Sequence, residues 1–264
     1  MFLEQIMERK KEEVARLKRS VPFRVLEEQA RRRTQRHSLR QRLHREGFLF
    51  LCEFKRSSPS RGQIAAGKHP LEQAQAYVRG GAGGISVLTE SHFFSGSPDD
   101  LRQVCRIVSV PVLRKDFLFD PFQIVESAAL GADAVLLILR ILDRGQAREL
   151  LQVAREYGLD VLFEIFDAGE LDRLPADGDF LLGINNRDLH TFEVNLSRST
   201  AIRPYVPSGI PVISESGIFS PADCVFVKRQ GFDGVLVGEA LMRAPDPAAL
   251  LRAMKREVER VDTG

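Results

Sequence analysis

From Phe48 onward the chain alternates apolar, β-branched runs with helical patterns, and it does so eight times. The runs begin at Phe48 and continue as Gly84–Thr89, Val110–Lys115, Ala134–Leu139, Asp160–Ile165, Phe180–Asn185, Pro211–Ser214 and Gly234–Val237. Each is short, nearly continuous in apolar residues and bounded by Gly, Pro, Asp or Ser, the pattern of a strand buried on both faces. Between them lie a helical pattern through Leu71–Tyr77 that stops at Gly80-Gly81, one from Pro98 through Val108, and one over Pro121–Leu130 stopped by Gly131. Another starts at Asp143, a suitable N-cap, and ends at Gly158; a short one runs through Leu171, and a last one covers about Pro247–Val261. Strands that are buried on both faces and separated by helices pair in parallel, and eight such units favour closure. The expected fold is α/β, a (β/α)8 TIM barrel with an N-terminal helical extension. A doubly wound open sheet is the alternative, but no GxGxxG follows the first run.

At 264 residues the chain has the length of one barrel, so residues 1–264 are read as a single domain with residues 1–46 as its extension. Phe2 to about Lys18 forms an amphipathic helix, with Phe2, Ile6, Val14 and Leu17 on one side and charges on the other. Pro22 breaks it, and a second helical segment passes through Val25 and Leu26. A basic stretch with Arg31, Arg32, Arg33, Arg36, Arg40, Arg42 and Arg45 follows. It has no interleaved aromatics for base stacking and the net charge is only +2, so it is read as a solvated helical face or linker with no nucleic-acid partner. Three widely spaced cysteines, Cys52, Cys105 and Cys224, fit a reducing cytoplasm as small buried hydrophobes. Five scattered histidines give no metal-ligand spacing, and neither a membrane span nor a signal segment is present, so no metal and no membrane partner is expected.

A barrel of this kind carries its chemistry at the C-terminal ends of its strands. Charges interrupt the apolar runs at that end each time: Glu53 and Lys55 on the first, Lys115 on the third, Glu164 on the fifth, Asn185 and Arg187 on the sixth, Glu215 on the seventh. Strand residues two apart share a face, so Glu53 and Lys55 lie with Leu51, Lys115 with Leu113, Glu164 with Leu162 and Glu215 with Ile213. Ions on a buried face cost several kcal/mol each unless they pair or serve a ligand. Crowded at one mouth, lysines and glutamates shift one another's proton affinities, which suits acid–base chemistry.

Two features point to the ligand. The seventh and eighth strands end in Ser216-Gly217 and Gly238-Glu239, glycine turns leading into helix starts, where backbone amides bind phosphate. The loop after the first strand adds Ser57, Ser58, Ser60 and Arg61 as anion-binding groups. Phe94, Phe117, Pro59 and Leu136 lie near the mouth as an apolar wall for a flat ring, although with seventeen phenylalanines in the chain ordinary core is the default for each.

The segments FKRSSPSRG, SVLTE with FFSGS, PVLRKDF, ESAALGADAVLLI, GINNRDLHTFEV, ISESGI and GVLVGEALMR resemble, in order, the motifs of the indole-3-glycerol-phosphate synthase family. The resemblance spans about residues 48 to 243, and the N-terminal extension is similar too. It implies a carboxy-lyase of tryptophan biosynthesis that works without a cofactor. Such an enzyme closes the indole ring of 1-(2-carboxyphenylamino)-1-deoxyribulose 5-phosphate with loss of CO2 and water. It further implies Lys115 as general acid with Glu164 as its acid/base partner and Lys55 beside the substrate's charged groups; which lysine serves which step stays open. Glu53, Asn185 and Glu215 would orient these groups, and Arg187 would contact a carboxylate. Ser58, Ser216, Gly217, Leu236, Gly238 and Glu239 resemble substrate-binding positions, mostly about the phosphate, and Phe94, Phe117 and Leu136 match the pocket for the aromatic ring.

Phe166 departs from the family pattern, which has a polar residue there, and Gln63–His69 lacks the usual acidic character. The alternative within the fold is another phosphate-binding barrel enzyme such as phosphoribosylanthranilate isomerase, whose chemistry needs one acid and one base. A Schiff-base lyase using Lys115 and a catalytically inactive binding barrel are further readings. The expected partner is a phosphorylated, carboxylated small molecule, and the expected state is a monomer.

Overall fold

The computed structural model describes residues 2–58, 62–64, 67–176, 179–188 and 191–262. All eight runs are strands: β1 (Leu49–Phe54), β2 (Gly84–Leu88), β3 (Val112–Lys115), β4 (Ala134–Ile138), β5 (Asp160–Ile165), β6 (Leu181–Asn185), β7 (Val212–Glu215) and β8 (Gly234–Val237). They pair in parallel in chain order, and β8 closes on β1 with Leu51 opposite Leu236. A small antiparallel hairpin, Ser57–Ser58 with Gly62–Gln63, follows β1 outside the barrel.

Closure divides the side chains by parity. Leu49, Leu51, Leu113, Leu136, Leu162, Leu181, Ile213 and Leu236 fill the interior, while Phe50, Cys52, Val135, Leu137, Val161, Phe163, Leu182 and Val235 pack outward against the helices. Followed towards the C-terminal end, the inward rows of β1, β3, β5, β6 and β7 lead to Glu53, Lys115, Glu164, Asn185 and Glu215, and those of β4 and β8 to Ile138 and Gly238.

Three helices come first: α1 (Phe2–Ser20), α2 (Phe23–Arg31) and α3 (Leu39–Glu46). The outer ring continues with α4 (Pro70–Gly80), α5 (Pro98–Ile107), α6 (Pro121–Leu130), α7 (Arg144–Glu156), α8 (Ser197–Ile202), α9 (Pro221–Arg229), α10 (Glu239–Arg243) and α11 (Pro247–Asp262). The starts are chemically marked. Asp120, Asp143 and Ser220 each form a reciprocal capping box with the residue three on, and Pro occupies the first turn of α6 and α9. Gly81 and Gly131, with φ of 88° and 100°, close α4 and α6 in the left-handed conformation. The segment PADCVFVKR of α9 reads as much like a strand as a helix; its helical start is marked by the Ser220 cap and by Pro221 in the first turn.

The basic stretch runs from the end of α2 through a linker into α3, and Arg31, Arg32, Arg36 and Arg45 are exposed as expected, but Arg33 is largely covered. The connection between α2 and α3 runs beneath the barrel, where the Arg33 guanidinium pairs with the buried Asp133 carboxylate. The other Asp133 contacts are the backbone N–H groups of His37 and Val112, which donate to it at 2.8 and 2.9 Å. Ser38 Oγ donates to Asp160 at 2.8 Å, and Leu39 and Leu43 of α3 enter the barrel interior as its lower plug. Arginines predominate there because α3 must bury two leucines while its other sides face carboxylates and water.

The amphipathic reading of α1 also needs one correction. Ile6 and Val14 are buried as expected, but so is Lys10, 2 % exposed. Its ammonium lies 3.0 Å from Asp116, the residue after Lys115 at the end of β3. Asp116 in turn accepts Thr89 Oγ1 at 2.5 Å and the N–H of Phe117 at 2.8 Å, with Arg114 at 3.4 Å. Burial pushes the Asp116 carboxyl up, but Lys10 and Arg114 outweigh it and hold it below its ordinary value of 3.8. Burial works against the Lys10 ammonium, but Asp116 and Glu13 raise it above 10.5. The pair therefore stabilises the fold above the carboxylate's ordinary value and below the amine's, and fades as pH falls below 3.8. Lys10→Met is expected to destabilise the protein by about 1–3 kcal/mol. Thermal melts across pH should show the full deficit between about pH 5 and 8 and a smaller one near pH 3; a deficit independent of pH would contradict the pairing.

Candidate active site

At the C-terminal mouth of the barrel a cleft is lined by Glu53, Lys55, Phe94, Lys115, Phe117, Leu136, Glu164, Asn185, Arg187, Ser216, Gly217, Leu236, Gly238 and Glu239. Glu215 sits just beneath, touching Lys115. The barrel thus brings together every sequence-derived candidate except Ser58, whose side chain, with Pro59, Ser60 and Arg61, lies outside the described residues.

The centre of the cleft is Lys115. Its Nζ lies 2.6 Å from Glu215 Oε2, 3.2 Å from Glu164 Oε2 and 3.8 Å from Glu53 Oε2. Glu53 turns its other oxygen to Lys55 Nζ at 2.6 Å, so one carboxylate bridges two ammonium groups. The three glutamates are no more than 3 % exposed. Two glycines make room for them: a Cβ on Gly183 would fall on the Glu215 carboxylate, and one on Gly238 would lie 2.6 Å from Glu53 Oε1.

The electrostatics follow from this crowding. Burial disfavours the Lys115 ammonium, but Glu215, Glu164 and Glu53 outweigh it and hold it well above the ordinary lysine value. Glu53 is pushed up by burial and pulled down further by Lys55 and Lys115, ending below the ordinary carboxylate value. Glu215 goes the other way: burial and the neighbouring Glu164 overcome Lys115 and push it up to about 8. The arrangement holds a charged amine among carboxylates, one of them inclined to keep a proton.

Around this centre the cleft has a polar and an apolar side. Asn185 Oδ1 accepts the N–H of Arg187 at 3.0 Å, and Arg187 donates to the carbonyl of Phe192 at 3.1 Å. Ser216 and Gly217, with φ of 64° and 86°, form a left-handed turn after β7, and Gly238 begins the turn after β8. Opposite, Phe94 and Phe117 face one another with ring centres 6.3 Å apart, and Leu136, Ile138 and Phe166 complete an apolar wall. Phe166, the departure from the family pattern, is buried in this wall with the Arg140 guanidinium over its ring at 4.8 Å.

Several cleft residues escaped the sequence reading. Leu3 and Ile6 reach it from α1, and Phe192 and Phe219 from the loops after β6 and β7, where no strand-end rule singles them out. Glu90 could have been found, since it follows β2 within SVLTE. Its buried carboxylate accepts the N–H groups of His92, Phe93 and Phe94 at 3.0, 2.7 and 3.0 Å, fixing the loop that presents Phe94. Among the described residues there is no group of three or more His, Cys, Asp or Glu side chains arranged to hold a metal, and no helix is long and apolar enough to cross a membrane.

Fold and mouth together define a barrel with an amine–carboxylate site between a glycine-turn rim and an aromatic wall. In overall shape the chain is similar to the tryptophan synthase alpha chain from Legionella pneumophila, with a TM-score of 0.63 at 16% identity over 86% of this chain and 98% of that one. It is also similar to thiamine phosphate pyrophosphorylase from Pyrococcus furiosus, with a TM-score of 0.61 at 20% identity, over 83% of this chain and 98% of that one. At those identities the likeness speaks to the barrel alone. The sequence goes further: residues 3–254 match the family model for indole-3-glycerol phosphate synthase. The protein of that name from Chlorobium phaeobacteroides is 44% identical over 247 residues, 93% of this chain and 96% of that protein. Its namesake from Carboxydothermus hydrogenoformans is 41% identical over 263 residues, covering 96% and 99%. The chain belongs to the indole-3-glycerol phosphate synthase family.

The raised Glu215 carboxyl makes a prediction with a definite sign. A carboxyl held above its unfolded value stabilises the fold fully below pH 4.5, and that contribution is lost as pH rises to about 8. Glu215→Gln cannot lose it, so the melting temperature of the variant should gain on that of the wild type between those limits. A gap that stays constant with pH would contradict the shift.

Proposed function

We propose that this chain is a carboxy-lyase that closes the indole ring of 1-(2-carboxyphenylamino)-1-deoxyribulose 5-phosphate, releasing CO2 and water and yielding indole-3-glycerol phosphate. The observation that carries the reading is the single ammonium, Lys115, held by Glu53, Glu164 and Glu215 at the end of an apolar, ring-sized wall.

The reaction joins the ring carbon bearing the carboxylate to the ketone carbon of the sugar chain. As that bond forms, negative charge grows on the ketone oxygen, and the Lys115 ammonium donates the proton that neutralises it. A developing alkoxide is more basic than an amine, so even a strongly held ammonium proton moves downhill to it. Loss of CO2 restores the aromatic ring electrons. The hydroxyl then leaves as water, which needs one proton delivered to it and one removed from the ring system, and Glu164, 3.2 Å from Lys115, is placed to exchange both. Lys55 and Arg187 balance the substrate's carboxylate, and Asn185 and Glu53 orient their neighbours. The backbone amides of Ser216, Gly217 and Gly238 receive the phosphate, with Leu236 below and the Glu239 carboxylate paired with Arg243 at 3.3 Å. Phe94, Phe117 and Leu136 hold the aromatic ring.

Leu3 and Ile6 of α1 line the same cleft, which supports reading residues 1–46 and the barrel as one domain. The isomerase reading is weaker: an isomerisation has no use for a second strand-end lysine beside three carboxylates.

Lys115→Ala should lower turnover by on the order of 10²- to 10⁴-fold, as for loss of a positioned acid, followed by the fluorescence of the indole product. A rate near that of the wild type would reject the role of Lys115, and a wild-type protein that forms no indole from this substrate would reject the reaction.

A further inference from the structure

Asn186, the neighbour of Asn185, points the opposite way, out through the barrel wall towards α8, and is 1 % exposed. The two hydrogens of its side-chain nitrogen are shared among three acceptors, the carbonyl of Glu215 at 2.9 Å, the carbonyl of Ser216 at 3.0 Å and Ser214 Oγ at 3.0 Å. Its side-chain oxygen accepts the N–H of Ser199 at 3.0 Å. The amide orientation is unambiguous, since its oxygen meets an obligate donor and its nitrogen meets two obligate acceptors. The Asn186 main chain adds to the grip, its N–H donating to the Glu215 carbonyl at 2.9 Å. One side chain thus holds consecutive carbonyls at the end of β7 from behind.

The turn so held is strained. Ser216 has φ of 64°, a conformation that costs a residue with a Cβ energy and persists only where its surroundings impose it. Gly217 follows at 86°, where a Cβ would lie 2.8 Å from Val194. Both residues line the cleft, and the Asn186 bond to the Ser216 carbonyl fixes that trans peptide, which turns the Gly217 N–H the opposite way, away from Asn186. Released from it, Ser216 would relax towards negative φ and rotate the Gly217 N–H away from the mouth.

We propose that Asn186 is a positioning residue for the phosphate end of the substrate, acting without touching it by locking the Ser216–Gly217 turn. The proposal rests on reading that turn as the phosphate seat.

The test compares the wild type, Asn186→Asp and Ser214→Ala, measuring kcat, KM for the substrate and the competitive inhibition constant of inorganic phosphate. Asn186→Asp keeps the shape and the bond from Ser199 but turns oxygen towards three oxygens. It should raise KM and the phosphate inhibition constant together by about tenfold, with a smaller fall in kcat. Ser214→Ala removes a partner from the same cluster without freeing either carbonyl and should leave both constants within about twofold. Asn186→Ser, which retains one short donor, should move both constants in the same direction by a smaller factor and serves if the aspartate variant does not fold. A folded Asn186 variant that melts earlier yet keeps wild-type KM and phosphate inhibition would overturn the proposal, leaving a structural role only. Absence of competition by phosphate in the wild type would remove the seat itself, and the proposal with it.

Discussion

Three buried carboxylates around one ammonium are the constraint on which the rest of this structure depends. Glu53, Glu164 and Glu215 approach Lys115 from three separate strands, and none could be buried alone without a penalty of several kcal/mol. The barrel can carry them because its inward rows end at one mouth, and because Gly183 and Gly238 leave out the side chains that would occupy their space. The cluster supplies a proton donor that is already charged and already aimed. Such preorganisation moves the cost of desolvation from the reaction to folding.

The stability to support it comes from elsewhere. At the lower end, α3 inserts Leu39 and Leu43 into the barrel, while Arg33 and Asp133 tie the α2–α3 connection to β3. At the upper end, α1 is fastened by Lys10 to Asp116, one residue beyond Lys115, and brings Leu3 and Ile6 to the cleft. The N-terminal helices therefore act on both ends: they plug one and wall the other. Behind the rim, Asn186 and Glu90 perform the same kind of work on two loops, each satisfying several backbone groups that would otherwise be free to choose another conformation.

The strands were legible because burial on both faces leaves a run of apolar residues with few alternatives, and Gly, Pro and Asp mark its ends. Strand parity then made Lys115, Glu164 and Glu215 legible as inward-facing charges, since a charge in such a run has little reason to be there without a function. Lys10 was not legible: it sits on the apolar side of α1 only because Asp116, more than a hundred residues away, faces it. Arg33 was read as solvated for the same reason, its partner Asp133 being invisible from the local pattern. Phe192 and Phe219 escaped because loops carry no periodicity to read. The helix α9 was not among the helical patterns read from the sequence, because PADCVFVKR shows no clear period.

The central claim is that carboxylates keep Lys115 charged, and the most direct measurement is the titration of its ammonium by nitrogen-15 NMR, assigned by comparison with Lys115→Arg. The account predicts that Lys115 retains its proton as pH passes 10.5, where an ordinary lysine is half deprotonated. Deprotonation below that value would mean that burial, and not the three glutamates, governs the site, and would contradict the account.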